Sequence, residues 1–407
     1  MNYHLMIDEK FIDDFIQDAC ELGENNRFIF LFSAPTKFVK STLGIHAPHG
    51  STELENVLAE IGPEDKLFVH WYTSKINALL EKIPSKTRVF LCFWGGDFLE
   101  CTAYARFNNP LNRFLYDPLT LQLVRNHVQT NNRGHLRQRL QEARASKNFK
   151  NLIATQFSNL RLAAQIRANE LYRKEMSERK VFLQRIEAIC HWNPFDVDLL
   201  NKMYGVHLQQ HYFIYGLGIS EMEVSKPRIP SATTTIWLGN SDTPTNNHLD
   251  ALIELKSFAK EPIKIICPLN YGNRKYAEHI AKFGSSLFGD KFVPLLDYIP
   301  RERYYQLMDE VDIAIMHHNR SQAGGNTIAF IMKGKKVYLK DQSSISQLFH
   351  SWGIRTLSGN ALSTMSFDEL KSSISDKDMA SNIQILQDTL GNEEKRREAY
   401  KTLFSEG

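Results

Sequence analysis

Along the whole chain, short apolar runs trade places with amphipathic stretches. In the first half the runs 27–33, 67–71, 88–93, 187–191 and 211–215 are β-branched or aromatic and of strand length. Helical patterns lie between them at 51–61 and 74–82, which predicts βα units on a parallel sheet rather than a meander. From about 121 to 185 this rhythm gives way to a long, charged, helical stretch that reads as an insertion. Two prolines within Ser225–Ser231 interrupt both periods and mark a domain boundary at about 225. Beyond it strands are expected at 234–238, 263–267, 292–295, 313–316 and 336–339, with helices at 247–258, 274–283, 301–308 and 326–333. The last forty or so residues read as helices. The fold class is therefore α/β: two Rossmann-like doubly wound domains, 1–224 with a basic helical insertion at about 124–185, and 225–407. In such sheets ligands bind at the carboxyl ends of the strands.

Composition changes this picture little. A chain of 407 residues with 43% hydrophobic and 23% charged positions is an ordinary globular protein of two domains, neither disordered nor fibrous. No run approaches the length of a membrane span, and the N-terminus lacks a basic segment followed by an apolar one, so a cytoplasmic protein is expected. Cys20, Cys92, Cys101, Cys190 and Cys267 are scattered without C-x-x-C spacing, which points to reduced, mostly core thiols rather than disulfides or zinc. Charge alters the picture more. Residues 131–185 hold thirteen Lys or Arg against four Asp or Glu within a chain of net charge +3, so the remainder is acidic.

Candidate chemistry falls in the loops that follow strands. After 312–316 the chain runs through Arg320, Gly324, Gly325, Asn326 and Thr327 into an apolar helix. The glycines permit close approach, the first helical amides and the helix dipole suit a pyrophosphate, and Arg320 adds a charge-assisted contact. A plain glycine turn capped by Asn326 or Thr327 accounts for the same residues. The loop after 234–238 offers Gly239, Asn240 and Ser241 to a phosphate or acceptor, or is simply a Ser/Asp/Asn-rich cap. Tyr271, after 263–267, can stack on a base or sugar. In the first half, Asp97 follows Trp94-Gly-Gly at a strand's carboxyl end, where a carboxylate can take a proton from an acceptor hydroxyl; capping of the next helix is the alternative. His70, ending the neighbouring strand, pairs with Asp97, binds a diphosphate, or is a satisfied core histidine. Asp196 and Asp198 have D-x-D spacing but open a helix, so capping explains them and no metal is expected. His317 and His318 are adjacent, and their side chains diverge.

The loops Trp237–Ser241, Cys267–Tyr271 and Ser321–Thr327, with Phe68–His70 and Trp94–Asp97 before them, resemble the bacterial 4-acetamido-4,6-dideoxygalactose transferases of glycosyltransferase family 56. The likeness runs over about 60–120 and 185–360. It implies a GT-B fold with two domains facing a cleft, a dTDP-sugar donor, an isoprenoid-diphosphate-linked saccharide acceptor, inversion, and neither metal nor cofactor. Donor contacts would be Gly239, Asn240, Ser241, Tyr271, Gly324, Gly325 and Asn326, with His70 and Asp97 facing the acceptor. Helix 326–333 carries no acidic residue to hold a ribose, for which Asp341 is a substitute. The basic block has no counterpart in the resemblance; it is expected to dock on the anionic cytoplasmic leaflet, with residues such as Phe182 and Leu183 at the headgroup boundary, and not to bind nucleic acid. Two rivals remain: a nucleotide-sugar epimerase of the same architecture, and a non-enzymatic membrane or nucleic-acid adaptor.

Overall fold

The computed structural model describes residues 1–23, 25–99, 114–124, 170–216, 232–372 and 374–405. They form two parallel sheets. The first holds β1 (Asn2–Met6), β2 (Asn26–Phe30), β3 (Gly44–His46), β4 (Lys66–Val69), β5 (Arg88–Cys92), β6 (Ala188–His191) and β7 (Gln209–Tyr212), in the order β3-β2-β1-β4-β5-β6-β7. The second holds β8 (Thr234–Leu238), β9 (Ile263–Pro268), β10 (Phe292–Leu295), β11 (Ile313–Met316), β12 (Lys336–Leu339) and β13 (Leu357–Ser358), in the order β10-β9-β8-β11-β12-β13. Both follow the doubly wound order 3-2-1-4-5-6, so each has a switch point beside its first strand, at β1/β4 and at β8/β11.

Alternation along the strands builds the first unit's core. Leu5, Leu67, Val69, Val89 and Leu91 pack on one face of the first sheet, while Met6, Phe28, Phe30, Phe68 and Phe90 pack on the other. All five residues of β1 are buried, yet sequence pattern does not reveal this strand, because Asn2 and His4 interrupt its apolar run. His4 lies in the core stacked on Phe28 and Phe68. β3 and β13 have three and two residues and are too short to carry a period.

The chain does not divide at a single point. Among the described residues the first compact unit comprises 1–99, 176–216 and 384–405, and the second comprises 114–124, 170–175 and 232–383. A boundary at 225 separates the two sheets but assigns the last helix to the second domain. Instead, helix Glu393–Ser405 buries Tyr400 and Leu403 in the aromatic face of the first unit, and the Tyr400 hydroxyl donates to the Ile214 carbonyl at 2.6 Å. Conversely, 118–124 forms a helix in the second unit whose first amides, on Leu119 and Thr120, donate to the two Asp250 carboxylate oxygens at 2.9 Å.

The expected membrane-facing block is corrected where it can be followed. Phe182 and Leu183 belong to the first unit's core. Arg179 is buried, with its guanidinium donating to the Phe98 carbonyl and the Tyr204 hydroxyl. Both apolar side chains and this charge serve the fold rather than a surface. Residues 125–169 of the block lie outside the described residues. Among those described, no helix is long and apolar enough to cross a membrane.

Candidate active site

In the second unit the helix after β11 spans Gly324–Met332, two residues earlier than its pattern predicts. Ala323 takes the left-handed conformation at its N-cap, with φ of 54°, and neither Asn326 nor Thr327 is the cap. The first intrahelical bond runs from the Thr327 amide to the Ala323 carbonyl at 2.9 Å, so the amides of Gly324, Gly325 and Asn326 precede it and point out of the helix end. Gly325 is exposed and has no positive φ, and a β-carbon built on it meets nothing within 4 Å. Neither strain nor packing among the described residues asks for glycine at 325. The side chains around it are braced inward: Asn326 donates to the Tyr304 hydroxyl at 2.8 Å, and Thr327 Oγ1 donates to the Ala323 carbonyl at 3.0 Å. What this turn offers a ligand is therefore backbone. Arg320 is buried before it and donates from Nη1 to the Ser321 carbonyl at 2.6 Å.

The loop after β8 has a different character. Gly239 has φ of 71°, and a β-carbon there falls 2.6 Å from His248 Nε2 and 2.8 Å from Asn246 Oδ1, so this glycine makes room for the loop's own side chains. Fully buried Asn246 organises the loop. Its oxygen accepts from the Asn240 amide at 3.0 Å and lies 2.8 Å from His318 Nε2, while its amide donates to the Ser241 and Thr243 carbonyls. Ser241 is buried and donates to Thr243 Oγ1 at 3.0 Å. Gln322 clasps this loop to the glycine turn, accepting from Thr245 Oγ1 at 2.7 Å and donating to Asn240 Oδ1 at 3.2 Å. Gly239 and Ser241 thus shape the loop, and Asn240 ties it to the turn. Tyr271 is exposed. Asp341 is exposed and accepts from Ser358 Oγ at 2.8 Å, which commits it to the sheet edge.

A cluster that sequence reading missed lies at the carboxyl ends of β11 and β12. Lys340 Nζ donates to both Asp117 oxygens at 2.6 Å, and His317 Nε2 lies 3.1 Å from Asp117 Oδ2. Burial alone would raise the Asp117 carboxyl, but His317 and Lys340 together hold it far below the usual carboxylate range. Asn247 accepts from the Asp117 amide at 2.9 Å and donates to the His317 carbonyl at 3.1 Å. No local signal marks Asp117, because its partners stand 130 to 223 residues away.

In the first unit, Gly95 has φ of 88° and opens the turn into helix Gly96–Leu99 at the carboxyl end of β5. Asp97 in that helix is buried, and neither carboxylate oxygen has a hydrogen bond of regular geometry among the described residues. Burial pushes its carboxyl up to about 6, against the opposing pull of nearby backbone amides and of Arg179. This is a carboxylate poised to exchange a proton near neutrality. His70 is corrected: fully buried, it lies 3.1 Å from His4 and 2.6 Å from the Tyr215 hydroxyl instead of pairing with Asp97, and burial keeps it neutral. Of the D-x-D pair, Asp196 faces His191 Nε2 at 3.0 Å and Asp198 is exposed. Asn193 is the cap of their helix.

The family model described as 4-alpha-L-fucosyltransferase, glycosyl transferase group 56, matches residues 179–385. Among solved structures, a glycosyltransferase from Rickettsia africae is similar over 100% of this chain and 99% of its own, with a TM-score of 0.57 at 10% identity. An α,α-trehalose 6-phosphate synthase from Burkholderia multivorans matches over 99% and 94%, with a TM-score of 0.53 at 7% identity. A trehalose-6-phosphate protein from E. coli bound with UDP-2-fluoro glucose matches over 100% and 98%, at 0.53 and 8%. At these identities the likeness speaks for the fold alone, which is GT-B.

Proposed function

The chain belongs to glycosyl transferase group 56 and is a glycosyltransferase; from that premise we propose that it moves a deoxysugar such as 4-acetamido-4,6-dideoxygalactose from a dTDP donor to a lipid-linked saccharide, with inversion. The observation that carries this reading is the open glycine end of helix Gly324–Met332, where three outward amides meet a residue whose β-carbon would strike nothing among the described residues. A diphosphate fits that description in charge and in its need for close backbone approach.

In the mechanism we envisage, the amides of Gly324, Gly325 and Asn326 hold the diphosphate and take up the charge that grows on it as the anomeric C–O bond breaks, with Arg320 supporting them. Asp97 accepts the proton of the acceptor hydroxyl as the acceptor oxygen bonds to the anomeric carbon and the diphosphate leaves, with inversion. The excess of basic residues at 131–185 supports a peripheral seat on an anionic cytoplasmic leaflet, where such an acceptor resides.

A thermal-shift series over dTDP, UDP, GDP and their sugars tests the donor, since a ligand of the native state raises apparent stability by mass action. dTDP and its sugars are expected to give the largest shift, and Gly325→Val to abolish it without unfolding the protein. A folded Gly325→Val chain that keeps full nucleotide affinity refutes the diphosphate site. For the membrane seat, liposome binding should rise with anionic lipid and fall with salt. The charge reversal belongs at Arg133, Arg137, Arg139 and Arg144, because reversing buried Arg179 would damage the fold instead.

A further inference from the structure

Five polar groups cross the apolar core of the first unit in single file. Asn26 donates from Nδ2 to the carbonyls of Ala19 at 3.0 Å and Gly23 at 3.4 Å, so its own oxygen faces the other way, towards His4 Nε2 at 3.2 Å. An amide oxygen only accepts, so His4 carries a proton on Nε2. Burial holds His4 down at about 3; neutral at ordinary pH, it presents a bare Nδ1 to His70 Nε2 at 3.1 Å. His70 must then donate from Nε2. Kept neutral by burial and by His4, it leaves Nδ1 to accept from the Tyr215 hydroxyl at 2.6 Å. The Tyr215 oxygen in turn accepts from the Trp94 indole N–H at 3.1 Å. Turning over His70 alone would set two nitrogen lone pairs against each other 3.1 Å apart, and turning over both imidazoles would set the His4 Nε2 lone pair against the Asn26 oxygen at 3.2 Å, an uncompensated polar burial either way. Cys92 Sγ, 3.9 Å from His70 Nε2, is too weak a partner to reverse it.

The file ends on Trp94, immediately before Gly95 and Asp97. A second arm grips the preceding residue, since His191 bridges the Phe93 carbonyl at 2.8 Å and Asp196 Oδ2 at 3.0 Å. We propose that His70 and Tyr215 are positioning residues for the base: a hydrogen-bond file of one polarity, set by Asn26, fixes the Trp94 indole and with it the turn that aims Asp97. This rests on the reading of Asp97 as the base. It accounts for two histidines in a core where phenylalanine would pack as well, because neither imidazole exchanges a proton and both relay an orientation.

The polarity is tested in the unaltered protein by long-range proton–nitrogen NMR at neutral pH, where His4 and His70 are both expected as neutral Nε2–H tautomers. In Tyr215→Phe, which deletes one oxygen and keeps the ring, the Trp94 indole N–H (assigned through Trp94→Phe) should lose its protection from exchange. kcat should fall about tenfold with the donor KM unchanged, the mark of lost orientation rather than lost binding. The Tyr215→Phe, His70→Phe double variant should be no slower than the slower single variant, since both cut one file. An Nδ1–H tautomer at His70, an unaltered Trp94 signal in Tyr215→Phe, or a kcat within twofold of the parent each overturns the proposal. If Asp97→Asn instead turns over normally, the assignment of the base fails, while the tautomers and the Trp94 signal still decide the file.

Discussion

The two units repeat one strand order and fill its carboxyl edge in opposite ways. In the first, the switch point at β1/β4 is closed by His4, His70, Phe15 and Tyr215 packed ring on ring, and Asp97, beyond the carboxyl end of β5, is buried with its carboxyl pushed up to about 6. In the second, the edge beyond β11 and β12 is charged: Asp117 is held ionised by Lys340 and His317, and the adjoining helix end is left open at Gly325. One fold thus keeps an acid near its proton in one unit and an anion permanently charged in the other. What differs is the partner: at Asp97 burial outweighs the pull of Arg179 and the backbone amides, whereas at Asp117 it is outweighed by His317 and Lys340.

The sharpest way to break this contrast is at the acid itself. Asp97→Asn should lower kcat by about 10² or more with donor affinity unchanged, and the parent's kcat should fall on an acid limb near pH 6. Full turnover in a folded Asp97→Asn protein would remove Asp97 from the chemistry. Next comes Asp117→Ala, which leaves Lys340 buried and unpaired and should cost roughly 3 kcal/mol of stability, measured by denaturant titration. A loss of a few tenths would mean that Lys340 simply swings into water.

A subtler test uses the opposite signs of the two shifts. Asp97 has a folded pKa above its unfolded value, so ionisation opposes folding: the penalty is absent below about pH 4, grows through pH 6 and persists above it. Asp97→Asn should therefore stabilise the protein at pH 7.5, on the order of 1–3 kcal/mol, and give nothing at pH 4. Asp117 has a depressed folded pKa, so its contribution is present above pH 4 and is lost as the pH falls further. Melting curves of both variants across pH 3–8 should move in opposite directions, and parallel curves would contradict the contrast. The smallest expected effect is that of EDTA. With Asp196 committed to His191, turnover should be unchanged by chelation, and loss with rescue by Mg²⁺ or Mn²⁺ would reverse that expectation.

Periodicity and turn chemistry made much of this protein legible. The β-branched runs and the Pro break near 225 locate most strands and separate the sheets, and the glycine turn at 324–325 stands out because glycines ahead of an apolar helix are a local signal of backbone exposure. A buried strand such as β1 was hidden, since His4 is polar by composition and becomes core only through Asn26 and His70. The same limit applies to sites. Sequence alone determined that Asp97 lies just beyond a strand and that the glycines at 324–325 lead into a helix, because adjacent residues set those properties. Only the tertiary structure decided that Gly239 serves its own loop, that His70 is a neutral link rather than a base, that Arg179 is core, and that Asp117 reaches Lys340. Each of those depends on partners from 7 to 223 residues away, and burial and charge pairing between distant segments leave no periodic trace along the chain.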